Sequence, residues 1–376
     1  MTRRERVLKA LDLKKPDRIP LDLGSYPGAT SINVIAYKNL LQYLGVKKET
    51  EIAHILMFTA EIHDEVLDIL NIDTKSVKPS MPLKDFNTPT EFEDPHWKIT
   101  WKKSSDFTYA PVHGPFQDIA EPDLDDIKRF TWPKPYEIED PLKWKEKAKR
   151  IRDESERALI ARLPMGPVSQ AQFLRGFEGW ATDLYINSEF SQALHRKITD
   201  IWIETAIGIA DSVNENVDAF IVGDDFSLQD QAMMNPDLYR QLFKPLIKEM
   251  VAKLKLHTRA KIGLHVCGTV YEFIDDFAEM GFDLLNPLQS NAKDMEPEKV
   301  KARSSGKIAL WGGIDSQNVL PNGSREQVRQ EVRNKIDILG KSGGYILCAD
   351  HNLLLNVPPC NVVTMYEAAL EYGSYS

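Results

Sequence analysis

Cysteine is scarce in this chain: Cys267, Cys348 and Cys360 are the only three in 376 residues. An odd number without framework spacing excludes a disulfide-stapled fold and points to a reducing compartment, so a cytoplasmic location is expected. Long apolar runs are missing as well. No stretch approaches the roughly twenty apolar residues of a membrane helix, and the opening Met1-Thr-Arg-Arg-Glu-Arg-Val-Leu-Lys reads as an amphipathic helix, not a signal peptide. A soluble protein with no membrane partner is expected. Positive charge is in deficit, 47 Lys and Arg against 56 Asp and Glu for a net charge of -9. That removes the basic footprint on which broad nucleic-acid binding relies. Internal repeats and low-complexity segments are also lacking.

What is present is an alternation of short apolar runs with longer amphipathic ones, the pattern of parallel strands separated by helices. Strands are expected at Arg18–Leu23, Ala158–Leu163, Ala219–Val222, Lys261–Val266, Asp283–Leu288, Ile308–Trp311 and Tyr345–Leu347. Helical spacing runs through Asn235–Leu256, Val270–Met280 and Ser324–Leu339, with starts marked by Asn235-Pro236 and by Asn322-Gly-Ser324. The fold class is therefore α/β, a (β/α)8 barrel. Leu83–Pro135 carries Trp97, Trp101, Phe107, Tyr109 and Phe116 without a clean period. It reads as a β-hairpin and loop excursion, whose aromatics either pack the insertion onto the barrel or line an apolar pocket. A single domain over residues 1–376 is expected, with residues 1–157 holding the elaboration.

The most informative stretch is Lys261-Ile-Gly-Leu-His-Val-Cys-Gly268. On an extended backbone, positions i and i+2 share a side, so His265 and Cys267 could hold one metal ion. A second cluster, Gly343-Gly-Tyr-Ile-Leu-Cys-Ala-Asp-His-Asn352, delivers Cys348 and His351 at the end of another apolar run. Thiolate and imidazole suit zinc, and the distance between the two halves excludes a structural finger. Barrel enzymes place their chemistry at the carboxyl ends of the strands. The other residues falling there include Asp22, Met165, Asn286 and Gln289, expected to bind substrate, and the pair Asp224 and Asp225. Asp224 suits capping or a turn. Asp225 suits a catalytic role as proton acceptor, a fourth metal ligand, or a carboxylate that orients His265. Gly312-Gly-Ile-Asp315 reads as a loop needing glycine conformations.

Leu264-His-Val-Cys-Gly-Thr-Val, Phe282-Asp-Leu-Leu-Asn-Pro-Leu-Gln, Leu310-Trp-Gly-Gly-Ile-Asp and Gly344-Tyr-Ile-Leu-Cys-Ala-Asp-His-Asn resemble the uroporphyrinogen decarboxylase superfamily, and within it the zinc-dependent, corrinoid-linked methyltransferase branch. Arg4-Glu-Arg-Val-Leu-Lys-Ala-Leu, Pro16-Asp-Arg-Ile-Pro and Gln172-Phe-Leu-Arg-Gly-Phe-Glu fit the same branch. The resemblance implies a distorted TIM barrel, a zinc site using His265 and Cys267, and cobalamin supplied by a small corrinoid protein. Where the decarboxylases carry substrate-binding arginines, this chain has Leu21-Asp-Leu-Gly-Ser-Tyr-Pro-Gly28, so porphyrinogen decarboxylation is not expected. The branch's third ligand is a late cysteine. Here His351 falls on that position and Cys348 sits three residues earlier; Cys348 is expected as the third ligand because thiolate is the softer donor, with His351 as alternative ligand or catalytic substrate contact. The expected activity is O-demethylation of a methoxylated, aromatic small molecule onto Co(I) of the partner's corrinoid; the alternatives are methyl transfer from a methylcorrinoid to a thiol such as coenzyme M, and tetrapyrrole chemistry of the decarboxylase kind.

Overall fold

Ala219-Phe-Ile-Val-Gly223 is buried at every position, and such a strand is stable only where both faces are covered. The computed structural model, which describes residues 1–77 and 88–375, supplies that cover by curling the sheet. In chain order the strands are β1 (Ile52–His54), β2 (Thr59–Ala60), β3 (Thr74–Val77), β4 (Glu91–Glu93), β5 (Thr100–Lys103), β6 (Tyr109–His113), β7 (Ala158–Arg162), β8 (Ala219–Gly223), β9 (Lys261–His265), β10 (Leu284–Leu288), β11 (Ala309–Ile314) and β12 (Tyr345–Ala349). Seven form one parallel sheet in the order β12-β11-β10-β9-β8-β7-β3.

The seam is closed by Pro20–Asp22. Leu21 bridges Leu347 in parallel, the Asp22 and Leu347 amides donate to Leu347 and Pro20 carbonyls at 3.0 and 2.9 Å, and the Asp73 amide donates to Leu21 at 2.8 Å. This segment is the eighth stave, so the expectation of a distorted (β/α)8 barrel is borne out. Alternation along the staves divides the core. Ala158, Ile160, Ala219, Ile221, Trp311, Ile346 and Cys348 fill the barrel, while Leu159, Ala161, Phe220 and Leu347 face the helices. The helix Arg3–Leu11 contributes Val7, Ala10 and Leu11 to the inner cluster, and its Arg4 amide reaches the Glu156 carbonyl just before β7. It plugs the amino end of the barrel and leaves the carboxyl end for chemistry.

Several boundaries shift for local reasons. The helix expected over Asn235–Leu256 is two, Pro236–Leu242 and Lys244–Lys255, parted at Phe243 because Pro245 has no N–H to continue the ladder. Gly312 and Gly313 lie inside β11 and not in a loop; both have positive φ, and a Cβ at Gly312 would come within 2.9 Å of the Leu288 nitrogen. Residues 83–87 of the expected excursion lie outside the described residues. The rest is a three-stranded antiparallel sheet, β4-β5-β6, not a two-stranded hairpin. Its aromatics pack against one another and the barrel helices: Trp101 on Phe173, Trp97 on Trp132, and Phe116 on Phe130, Trp132 and Phe190. These contacts give the aromatics a packing role in seating the insertion on the barrel.

Candidate metal centre

His265 is the last residue of β9 and faces into the barrel mouth. Its Nδ1 lies 2.7 Å from Asn286 Oδ1 on the neighbouring strand β10, where His265 and Asn286 are in register. An amide oxygen can only accept, so Nδ1 is the donor, which leaves Nε2 as the nitrogen that can ligate a metal. That Nε2 lies 3.6 Å from Cys267 Sγ. The thiol is aimed by two backbone anchors. The Cys267 amide donates to Asp225 Oδ1 and the Gly268 amide to Gln289 Oε1, each at 2.7 Å. Gly268 has φ +84°, and a Cβ there would meet the Leu228 carbonyl oxygen at 2.2 Å, so this turn requires glycine.

The third donor arrives from beyond β12. Among the described residues, the ligand atoms of His265, Cys267 and His351 form the one group of His, Cys, Asp and Glu donors lying within 4.8 Å of one another. Cys348, expected as third ligand, does not join it. Its side chain lies on the inward face of β12 with Ile346 and Trp311, below the mouth, and its thiol donates to the Ala349 carbonyl at 3.1 Å. His351, past the strand end, reaches the mouth instead.

Electrostatics favour the neutral forms of His351 and Cys267 in the absence of metal. Burial, with His265 adding to it, pushes the His351 imidazole down to about 4, so it stays unprotonated at neutral pH. Burial and the nearby Asp225 and Asp350 carboxyls push the Cys267 thiol well up, so its proton leaves only in exchange for a cation. Two imidazoles and one thiol, with ligand atoms all within 4.8 Å of one another, fit zinc.

The remaining expected site residues divide by what they touch. Asn286 orients His265 and its Nδ2 is buried without a partner. Asp225 is not in the donor group; its carboxylate holds the Cys267 amide, and Ser169 and Gln172 hold its own backbone. Gln289 accepts the Gly268 amide and Gln229 Nε2 at its Oε1, which ties the two loops together. Asp22 accepts from Thr74 Oγ1, the Ser25 amide and Trp311 Nε1, fully buried inside the barrel wall, so it too faces structure and not substrate. Met165 does reach the mouth: a Cβ at Gly223 would lie 3.4 Å from its Sδ, 2.7 Å from Tyr26 Oη and 3.7 Å from His265 Cδ2. Asp224 takes the Ser169 and Val168 amides at 2.8 and 3.4 Å, holding the start of the helix Pro167–Arg175; burial lifts it to about 7.

Two neighbours of the centre escaped the sequence reading. Tyr26 lays its ring on His265 at 5.2 Å between centroids; it follows the first stave, where a strand-end aromatic was the available signal. Asp350, beside His351, accepts from the Ser316 amide and hydroxyl at Oδ1 while Oδ2 is buried without a partner, and burial raises it to about 6.

The family model "Uroporphyrinogen decarboxylase (URO-D)" matches residues 104–372. Methylcobamide:CoM methyltransferase MtaA of Methanosarcina barkeri is 29% identical over 190 residues, 48% of this chain and 50% of that protein. The same enzyme from M. barkeri strain Fusaro / DSM 804 is 27% identical over the same shares. The chain thus spans about half the length of the curated relatives it matches. A solved methyltransferase from Methanosarcina mazei superposes over 99% of both chains with TM-score 0.66 at 17% identity, a likeness of fold.

Proposed function

The chain belongs to the uroporphyrinogen decarboxylase family, and from that premise we propose that it is a zinc-dependent methyltransferase exchanging a methyl group with a corrinoid carried by a small partner protein. The observation that carries this reading is the convergence of His265, Cys267 and His351 at the carboxyl end of the barrel. Similarity to methylcobamide:CoM methyltransferases supports a small thiol as methyl acceptor, ahead of the methoxylated donor that the sequence suggested. In that direction the substrate sulfur forms its bond to the methyl carbon as the cobalt–carbon bond breaks, the electron pair staying on cobalt. When bound, zinc supplies the Lewis acidity that holds a substrate thiol as thiolate or draws charge from a methyl ether oxygen. Asn286 keeps the His265 lone pair directed inward, and Asp225 and Gln289 fix the turn that aims Cys267. Leu354 and Leu355 stand exposed just past His351, and Leu228 stands exposed on the loop after β8, an apolar rim suited to a docked protein.

The donor set keeps a second reading in view. One thiolate and two neutral imidazoles offset only part of a dication's charge, which suits polarising the oxygen of a methoxylated substrate. Zinc-loaded protein incubated with methylcobalamin and 2-mercaptoethanesulfonate separates the two. Thiol methylation, absent in Cys267→Ala, is expected. Inert thiols combined with demethylation of 4-methoxybenzoate by a Co(I) corrinoid would establish the second reading, and neither activity in zinc-loaded protein would overturn both.

A further inference from the structure

Three adjacent staves leave buried polar atoms without partners on one side of the barrel mouth. Ser25 Oγ follows the closing stave, Ser76 Oγ belongs to β3 and Arg162 Nε to the end of β7, and none has a hydrogen-bond partner. Ser25 is fully buried and Ser76 nearly so. Leaving such groups unpaired costs free energy, so a concentration of them on one wall calls for a ligand.

Alternation sets their direction. On β7, Ala158 and Ile160 face into the barrel while Leu159 and Ala161 face the helices, so Arg162 continues the inward face. On β3, Val77 faces the helices and Ser76 faces in, in register with Ile160, which puts Arg162 one pleat nearer the mouth. Ser25 sits above the same wall: its amide reaches the Asp22 carboxylate that also takes the Thr74 hydroxyl. The guanidinium is held loosely. Its Nη2 leans on Glu139 Oε1 at 3.4 Å, long for a charge-assisted bond, and the other Glu139 oxygen takes Trp144 Nε1. Tyr26 stands between this wall and the metal donors, its ring on His265 and its phenol within the field of Arg162.

We infer that Arg162, Ser76 and Ser25 form an anion subsite that grips a carboxylate or sulfonate at the far end of the substrate while its reacting end lies toward His265, Cys267 and His351. The inference rests on the proposal that the mouth binds a small methyl donor or acceptor, and it holds for either direction of transfer. The guanidinium offers only donors, and each hydroxyl can turn its O–H toward a fork-shaped anion.

Calorimetric binding to zinc-loaded protein tests it without turnover, using 2-mercaptoethanesulfonate, 3-mercaptopropionate and neutral 2-mercaptoethanol. The acid-tailed thiols should bind about tenfold to a hundredfold tighter than the neutral one, the worth of a charge-assisted bond. Arg162→Gln should erase that preference with zinc content and neutral-thiol binding unchanged, Arg162→Lys should restore part of it, and Ser76→Ala should weaken it severalfold. The relative affinities of the two acids tell sulfonate from carboxylate. Should no thiol bind, the pair 4-methoxybenzoate and methoxybenzene takes their place: a preference for the acid that Arg162→Gln removes upholds the subsite while the thiol reading falls. Wild-type protein blind to the acid group in both pairs, or an undiminished preference in Arg162→Gln, would overturn the inference.

Discussion

Asn286→Leu separates the metal donors from the residue that aims them. The substitution keeps volume roughly constant in a fully buried position, so no large cavity opens. It removes the 2.7 Å contact from His265 Nδ1 and strands that N–H. Nothing is lost at Nδ2, which has no partner to begin with. Partners of this kind are typically worth about ten- to a hundredfold in metal affinity, or about 1.4–2.8 kcal/mol. The stranded N–H adds about 1–3 kcal/mol of destabilisation to the metal-free protein. Zinc affinity measured against a chromophoric chelator at pH 7.5 should therefore fall by that factor, and Asn286→Asp, which still accepts from Nδ1, should retain binding. Wild-type zinc affinity in Asn286→Leu, with a lowered melting temperature of the metal-free protein, would show that Asn286 supports the barrel only and refute the reasoning.

Cys267→Ala should carry no stoichiometric zinc yet give a circular dichroism spectrum like wild type, since the barrel core does not depend on the thiol; full zinc content by elemental analysis would remove Cys267 from the donor set. His351→Ala should lose zinc while Cys348→Ala keeps it, and the opposite ranking would put the third donor back inside the barrel. Asp224 is raised to about 7 by burial, so the folded state holds its proton more tightly than the unfolded chain does; its contribution to stability is complete below about pH 4 and is lost as pH rises to about 7. Asp224→Asn should abolish that decline, worth on the order of 2–4 kcal/mol, and urea midpoints at pH 4.5 and pH 8 that fall in parallel for both proteins would contradict it.

The barrel was legible because its later strands are apolar on both faces and bounded by helices with clear caps, as at Ser324, whose capping box with Gln327 the structure contains. β3 was not: Thr74-Lys-Ser-Val77 is short and half polar, and only pairing with Ala158–Ala161 makes it a stave. His265 and Cys267 were readable from spacing along one strand. The third donor was not, because strand alternation sends Cys348 inward below the mouth, and choosing His351 depends on where β12 ends, the least certain property of a pattern. For Asp224 the sequence suggested a cap or turn, but not which element it holds. Its partners, the Ser169 and Val168 amides, lie 55 and 56 residues earlier, and no local signal announces a helix start capped from so far away. Arg162 was visible as a charge ending an apolar run, but its meaning required knowing which face of β7 is inside.

The seam at Leu21 and Leu347 has a temporal side. The barrel closes through a pairing of residues 326 positions apart, reinforced where the Ile19 amide donates to Gly373 and the Tyr366 hydroxyl to Asp22. During synthesis the first stave therefore waits, its edge bare, until the last strand leaves the ribosome. His351 emerges only after that strand. The candidate metal centre and ring closure thus draw on the same late segment, and a product stopped short of β12 lacks both the seam and one of the three donors.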